Sequence, residues 1–220
     1  MSRIRIKFCG VTNPGDARAA AAAGADAVGM IVHARSKRLI DLPTAAAVTA
    51  ALPPYVASVG VFVDASPEQV RQIVSGAHLT AAQLHGDETP EIAAACGGKV
   101  IKAIRVDEKV LETLALWRDA IHSGVCKNVI GLLLESAVAG QSGGTGVAND
   151  FDGIAKLKAY GAFHDLPPIL LSGGLTPENA THAANLVRPY AVDVSSGIEE
   201  SLGKKSVEKM NRFAAAIASL

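Results

Sequence analysis

The feature that most constrains this chain is its alternation. A short apolar run rich in β-branched residues is followed by a longer stretch with helical spacing, and the pair recurs eight times. The apolar runs are Ile4–Phe8, Ala27–Val32, Ala57–Val63, Ala81–Leu84, Lys99–Ile104, Asn128–Leu134, Pro168–Leu171 and Ala191–Val194. The helical stretches between them open on recognisable signals. Pro14 sits at a first helical position, where its missing N–H costs nothing. Ser66-Pro67-Glu68, Thr89-Pro90-Glu91 and Thr176-Pro177-Glu178 each read as a cap followed by a first turn. Further helices are expected over Pro43–Leu52, Glu108–His122, Asp150–Tyr160 and Ser206–Leu220, with a short extra one over Ile198–Leu202. Strand and helix in strict alternation imply a parallel sheet with crossover helices. Eight such units predict an α/β fold closed as a (β/α)8 TIM barrel, one domain over residues 1–220. The other arrangement compatible with the count is an open doubly wound sheet.

Composition removes several function classes. The chain is 49% hydrophobic, which excludes disorder. Its 21 basic and 21 acidic residues cancel, so no general attraction to a polyanion exists and no nucleic-acid partner is expected. No apolar run reaches the roughly 18 residues a spanning helix requires, so no membrane partner is expected either. Met1–Lys7 alternates basic and apolar residues, unlike a signal peptide. Cys9, Cys96 and Cys126 are odd in number and widely spaced, forming neither a disulfide framework nor a metal pattern, and fit a reducing cytoplasm.

In a barrel the site is built from residues at the C-terminal ends of the strands. Here these are Cys9, Ser36-Lys37-Arg38, Asp64, His85, Arg105, Glu135, Ser172-Gly173-Gly174 and Ser195-Ser196-Gly197. The last two groups carry the strongest signal. Glycines let backbone N–H groups approach an anion, and barrels commonly hold phosphate between the final two loops. Gly173, Gly174, Ser195, Ser196 and Gly197 are therefore candidate phosphate ligands, although each could also be only a turn residue. Cys9, followed by Gly10, is a candidate reactive thiol if a cation or helix end favours its thiolate. Cys96 and Cys126 have no such placement. Glu135 closes a long apolar run, where desolvation is expected to raise its pKa and suit it to give up a proton. Arg38 could bind a carboxylate or phosphate through two hydrogen bonds. The glycine-rich stretch Glu135–Asn149 is long for a compact barrel and is read as a functional loop.

These residues fall into ordered segments. They are Lys7–Thr12, Gly24–Gly29, Ser36–Arg38, Val59–Val63, Gln83–Gly86, Gly143–Gly146 with Phe151-Asp152, Leu171–Leu175 with Pro177-Glu178-Asn179, and Asp193–Glu199. As an ordered set spanning nearly the whole chain, they resemble the phosphoribosylanthranilate isomerase family of tryptophan biosynthesis. The resemblance implies a (β/α)8 enzyme that performs an Amadori rearrangement on a small phosphosugar, with no cofactor and no metal. It implies that Cys9 is the base, that Glu135 holds the general-acid position, and that Arg38 grips the anthranilate carboxylate. It also implies that Gln83, His85 and Asp193 line the pocket, and leaves a monomer or a homodimer open. The sequence departs from the family in three places: the acid is typically aspartate, tryptophan commonly stands where Gly153 does, and isoleucine commonly stands where Phe8 does. Two alternatives follow. Another phosphosugar barrel would use carboxylates or metal-binding histidines at the strand ends. A non-catalytic phosphosugar binder would keep the phosphate loops while its acid drifted.

Overall fold

The computed structural model describes residues 3–136 and 150–220. Eight strands close into one barrel in chain order. They are β1 (Arg5–Phe8), β2 (Ala27–His33), β3 (Ala57–Phe62), β4 (Ala81–Leu84), β5 (Val100–Val106), β6 (Val129–Ser136), β7 (Ile169–Ser172) and β8 (Ala191–Val194). Every neighbouring pair is parallel, and β1 pairs with β8 to shut the ring. Closure excludes the open doubly wound sheet, in which two edge strands would stay unpaired.

Helices α1 (Pro14–Ala22), α2 (Leu42–Ala50), α3 (Pro67–Gly76), α4 (Pro90–Cys96), α5 (Val110–His122), α6 (Phe151–Ala159) and α7 (Ala180–Val187) each follow the strand of the same number. A small antiparallel hairpin, β9 (Glu199–Ser201) and β10 (Lys204–Lys205), precedes the closing helix α8 (Val207–Ala218). The expected caps operate. Among these, Ser66 and Thr89 each accept from a first-turn backbone N–H; Asn13 and Asp41 cap α1 and α2 in the same way without having been anticipated, and prolines occupy the first positions of α1, α3 and α4.

Two apolar layers result from the period-two alternation of each strand. Outward residues such as Phe8, Leu84, Leu132 and Leu171 pack under the helices, where Phe8 meets Phe213 of α8 edge to face at 5.9 Å. Inward residues Val59, Ile101, Ala103, Leu133, Leu170 and Ala191 plug the lower barrel. Cys96 and Cys126 are buried thiols in the outer layer, as expected of structural cysteines.

Three expectations need correction. Thr176-Pro177-Glu178 does not open α7, which begins at Ala180. Instead Asn179 closes a turn, accepting from the Thr176 N–H and donating to the Gly174 carbonyl. Ile198–Leu202 is not a helix: a 3-10 turn, Ser196–Ile198, runs straight into β9. Arg105, Glu135 and Ser172 lie inside their strands and not beyond them. The glycine-rich segment Gly143–Gly146, and most of the stretch read as a functional loop, fall outside the described residues.

Candidate active site at the barrel mouth

Register builds the site. Lys7 pairs with Asp193, Asp193 with Ser172, Ser172 with Glu135, and Glu135 with Arg105. Register partners in a sheet share a face, so five polar side chains from five successive strands ring the barrel above its apolar plug. Cys9 is the next inward position above Lys7 on the same chain.

The Cys9 thiol sits in a charged but enclosed setting. Burial pushes its pKa up and Asp193 adds to this, while Lys7 and Lys205 pull it down; the net direction is upward. Lys7 is held by Asp193, with Nζ 2.8 Å from Oδ1 and both side chains almost wholly buried. Its pKa is raised: burial, the largest single influence, lowers it, but the carboxylate and the thiol together outweigh that. Gly29 of β2 makes this packing possible. A β-carbon there would lie 2.8 Å from Cys9 Sγ and 3.0 Å from Lys7 Nζ, so any side chain would displace the thiol or the ammonium.

A second cluster holds Arg38. Its Nε and Nη2 donate to the two carboxylate oxygens of Glu199, both at 2.7 Å. Lys205, whose side chain is inaccessible, donates to the same carboxylate at 3.0 Å and to the Ser195 carbonyl at 3.0 Å. A fork held at one edge keeps its orientation while its remaining N–H groups stay available. Arg38 and Ser195 flank Gly10, with Ser195 Oγ and Arg38 Cδ each within 3 Å of where a β-carbon would stand.

The third cluster crosses the barrel from β4 to β6. Gln83 Nε2 lies 2.8 Å from His85 Nδ1, and His85 Nε2 lies 2.9 Å from Glu135 Oε2. Here the expected raised pKa of Glu135 is overturned. Burial does push it up and is the largest single influence. His85, Arg105 and Lys7 together outweigh it, and the carboxyl ends below its ordinary value.

The last two loops meet as anticipated. Gly173 and Gly174 take φ values of 93° and 61°, and Ser195 leads into the turn Ser196–Ile198. At Gly197 a β-carbon would stand 2.0 Å from the Leu175 carbonyl oxygen, so only glycine lets the two loops abut.

Cys9, Asp193, Arg38, Ser195, Gln83, His85 and Glu135 thus reach one mouth in three clusters, with Gly173, Gly174, Ser196 and Gly197 in the two loops beside them, whereas Asp64 turns to the loop after β4, its N–H donating to Glu88 and its carboxylate accepting from the Asp87 N–H. Lys7, Glu199 and Lys205 join these clusters although sequence reasoning singled out none of them. Lys7 could have been found, since an inward lysine two residues before an inward cysteine is what period two gives. Glu199 and Lys205 could not, because their contact depends on the hairpin. A cavity of about 220 Å³ bordered by Lys158, Phe163, Pro168 and Tyr190 opens at the opposite end of β7, away from these clusters. Among the described residues no group of three or more His, Cys, Asp or Glu side chains could hold a metal ion.

The fold and these clusters define a (β/α)8 barrel with a polar mouth of enzymatic character. The family model described as N-(5'phosphoribosyl)anthranilate (PRA) isomerase matches residues 6–216. The N-(5'-phosphoribosyl)anthranilate isomerase of Myxococcus xanthus is 43% identical over 217 residues, covering 99% of this chain and 97% of that one. The crystal structure of the phosphoribosyl anthranilate isomerase of Thermotoga maritima is 35% identical, with a TM-score of 0.85, covering 99% of this chain and all of that one. A phosphoribosyl anthranilate isomerase solved with reduced 1-(o-carboxyphenylamino)-1-deoxyribulose 5-phosphate has a TM-score of 0.82 at 34% identity, covering 99% of this chain and 100% of that one. The chain belongs to the phosphoribosylanthranilate isomerase family.

Proposed function

We propose that this chain converts N-(5-phosphoribosyl)anthranilate to 1-(2-carboxyphenylamino)-1-deoxyribulose 5-phosphate, with Glu135 as general acid and Cys9 as base. The observation that carries the assignment is the ring of register partners, which brings the Glu135 carboxyl to the same mouth as Lys7, with the Cys9 thiol one inward position above that lysine. Glu135 gives its proton to the ribose ring oxygen. The C1–O bond breaks, and the anthranilate nitrogen lone pair forms the C1=N bond of a Schiff base. The Cys9 thiolate then removes the C2 proton, and the electrons of that bond form C1=C2 while nitrogen recovers its lone pair. The resulting enolamine gains a proton at C1 and loses the C2 hydroxyl proton, giving the ketone. Carbon is oxidised at C2 and reduced at C1 within one molecule, so the balance closes without an external oxidant.

Binding roles follow the clusters. Arg38, oriented by Glu199, takes the anthranilate carboxylate. Backbone N–H groups of Gly173, Gly174, Ser195, Ser196 and Gly197 take the phosphate, and the abutting loops at Gly197 support that reading. Gln83, His85 and Asp193 face the pocket around the acid and the base. This isomerase acts as a single domain over residues 1–220, as a monomer or homodimer. Its three unpaired, buried cysteines fit the cytoplasm. Among the described residues no helix is long and apolar enough to cross a membrane.

The test is fluorescence-monitored loss of freshly made phosphoribosylanthranilate. Wild type should turn over, and Cys9→Ser and Glu135→Gln should each lose at least about 10²-fold. Tight binding of a reduced product analogue with no turnover by wild type would overturn the catalytic reading and leave a binder.

A further inference from the structure

The chain Gln83–His85–Glu135 has a hydrogen-bond inventory that one protonation state does not close. Gln83 is 1% exposed and points into the barrel. Its Nε2 can only donate, so His85 Nδ1 is the acceptor, and Nε2–H of the ring must donate to a Glu135 carboxylate. This state contains no acid proton. It also leaves Gln83 Oε1 buried without a partner, one of two such side-chain atoms among the described residues. A buried acceptor without a donor is costly.

The two ends of the amide are nearly isosteric, so a half-turn needs no new space. After the turn, Oε1 faces Nδ1 and is satisfied only if that nitrogen carries a hydrogen. The His85–Glu135 pair then holds one more proton, lying between Nε2 and Oε2, where Glu135 can deliver it. We propose that Gln83 is a positioning residue whose amide, by presenting Oε1 to His85 Nδ1, loads the acid proton onto the His85–Glu135 pair. This rests on Glu135 being the acid of the proposed reaction. The count closes: the loaded pair carries two exchangeable hydrogens, the substrate ring oxygen takes the one between Nε2 and Oε2, Nδ1 keeps the other against Oε1, and the proton that the C2 hydroxyl sheds reloads Glu135. The charged groups facing the pair are Arg105 on β5 and Lys7 on β1, with Asp193 and Cys9 beyond Lys7. Both cations oppose loading, which is why an acceptor on the far nitrogen matters.

The kinetic signature follows from populations. Catalysis needs Glu135 protonated and Cys9 ionised, although the first lies below and the second above its ordinary pKa. The kcat/KM profile is therefore a plateau whose acid limb falls at the pair's pKa and whose height drops tenfold for each unit separating pair from thiol. Gln83→Met removes the acceptor, and because hydrogen bonds to the charged form are the stronger ones, the pair's pKa falls. The acid limb should move down by about one pH unit and the plateau by about tenfold. Gln83→Glu supplies an acceptor that cannot donate while ionised, so limb and plateau should both move the other way. A merely structural role would lower both plateaus without opposed shifts. Nitrogen NMR of wild type labelled at histidine gives a second measurement: Nδ1 of His85 should gain its hydrogen as pH falls through the acid limb. Acid limbs of both variants that coincide with wild type, or an Nδ1 that stays bare across that range, would overturn the proposal. Retained turnover in Glu135→Gln would instead overturn the acid assignment on which it stands.

Discussion

Replacing Lys7 by Met tests whether the buried ammonium is what makes Cys9 usable as a base. The vacant β-carbon position of Gly29 is 2.8 Å from Cys9 Sγ and 3.0 Å from Lys7 Nζ, which places the two atoms within about 6 Å of each other. At an effective dielectric of about 20, opposite charges at about 6 Å attract by about 3 kcal/mol. That corresponds to about two pKa units on the thiol. Asp193, no longer neutralised, would add repulsion in the same direction. Two offsets act against the loss. Lys7 also holds Glu135 down, more weakly than His85 or Arg105 does, so its removal eases the acid upward. A more basic thiolate also abstracts protons faster. We therefore expect the kcat/KM plateau to fall by about tenfold to a hundredfold, and the pH midpoint of Cys9 alkylation to rise by about two units. The variant should also lose about 3–5 kcal/mol of stability, because it strands a buried carboxylate. The double variant Lys7→Met, Asp193→Asn separates the effects. It should recover most of the stability and only that part of the thiol ionisation lost to Asp193 repulsion, leaving the part Lys7 supplied unrecovered. The assay is iodoacetamide labelling of Cys9 across pH, read by mass spectrometry alongside urea unfolding. An unchanged alkylation midpoint in Lys7→Met would refute the reasoning, whatever happened to stability.

Other expectations rest on single contacts. Glu199→Gln removes the charge that both Arg38 and the inaccessible Lys205 face; we expect thermal unfolding at lower temperature, with about 3–5 kcal/mol lost, and a raised KM. Because Glu199 is held below its ordinary pKa, the stability it contributes is present above the unfolded glutamate value near 4.5 and is lost as pH falls through the lower folded value. The unfolding free energy of Glu199→Gln should therefore fall less steeply than that of wild type as pH drops below about 4.5. Gly197→Ala would bring a methyl to 2.0 Å from the Leu175 carbonyl, forcing the loops apart. It should weaken competitive inhibition by inorganic phosphate at least tenfold while leaving the alkylation of Cys9 unchanged.

Much of this molecule is legible in the sequence, for identifiable reasons. The barrel is legible because eight β-branched runs separated by capped helical stretches leave few topologies once connections are parallel and right-handed. Cys9, Arg38, His85 and the final glycines are legible because strand ends and glycine-rich loops have fixed meanings in such a barrel. What is not legible is how charges meet. Lys102 and Glu88 form a buried pair under the β4 loop, with Nζ 2.6 Å from Oε2, and the same carboxylate accepts from the Asp64 and Gly86 N–H groups. Nothing in the local sequence announces that partnership, because it depends on register between β4 and β5. The Glu135 pKa was misjudged for the same reason. Burial alone is readable from an apolar run, but the opposing His85 and Arg105 reach it from other strands.

The glutamate at 135 finally gives a reading of why the acid side of this mouth is built as it is. Glu135 stands on β6 and His85 directly follows β4, with β5 between them, and the carboxyl spans that gap to reach 2.9 Å from Nε2. Aspartate at this position would be shorter by one methylene, about 1.5 Å, beyond hydrogen-bond range for the same backbone. The carboxyl of Glu135→Asp would then lose its strongest charge-stabilising partner, and burial would dominate its titration. Its acid limb should move to higher pH, and its protonated fraction at neutral pH should rise about tenfold for each unit of that shift. In return the shorter arm sits farther from the substrate ring oxygen, and a misplacement of about 1 Å can cost about 10²-fold. The two effects separate in one experiment. The limb position reports the His85 contact and the plateau height reports reach. A Glu135→Asp profile with an unmoved acid limb would mean that His85 does not hold the glutamate in solution, and the coupling drawn here between β4 and β6 would fall with it.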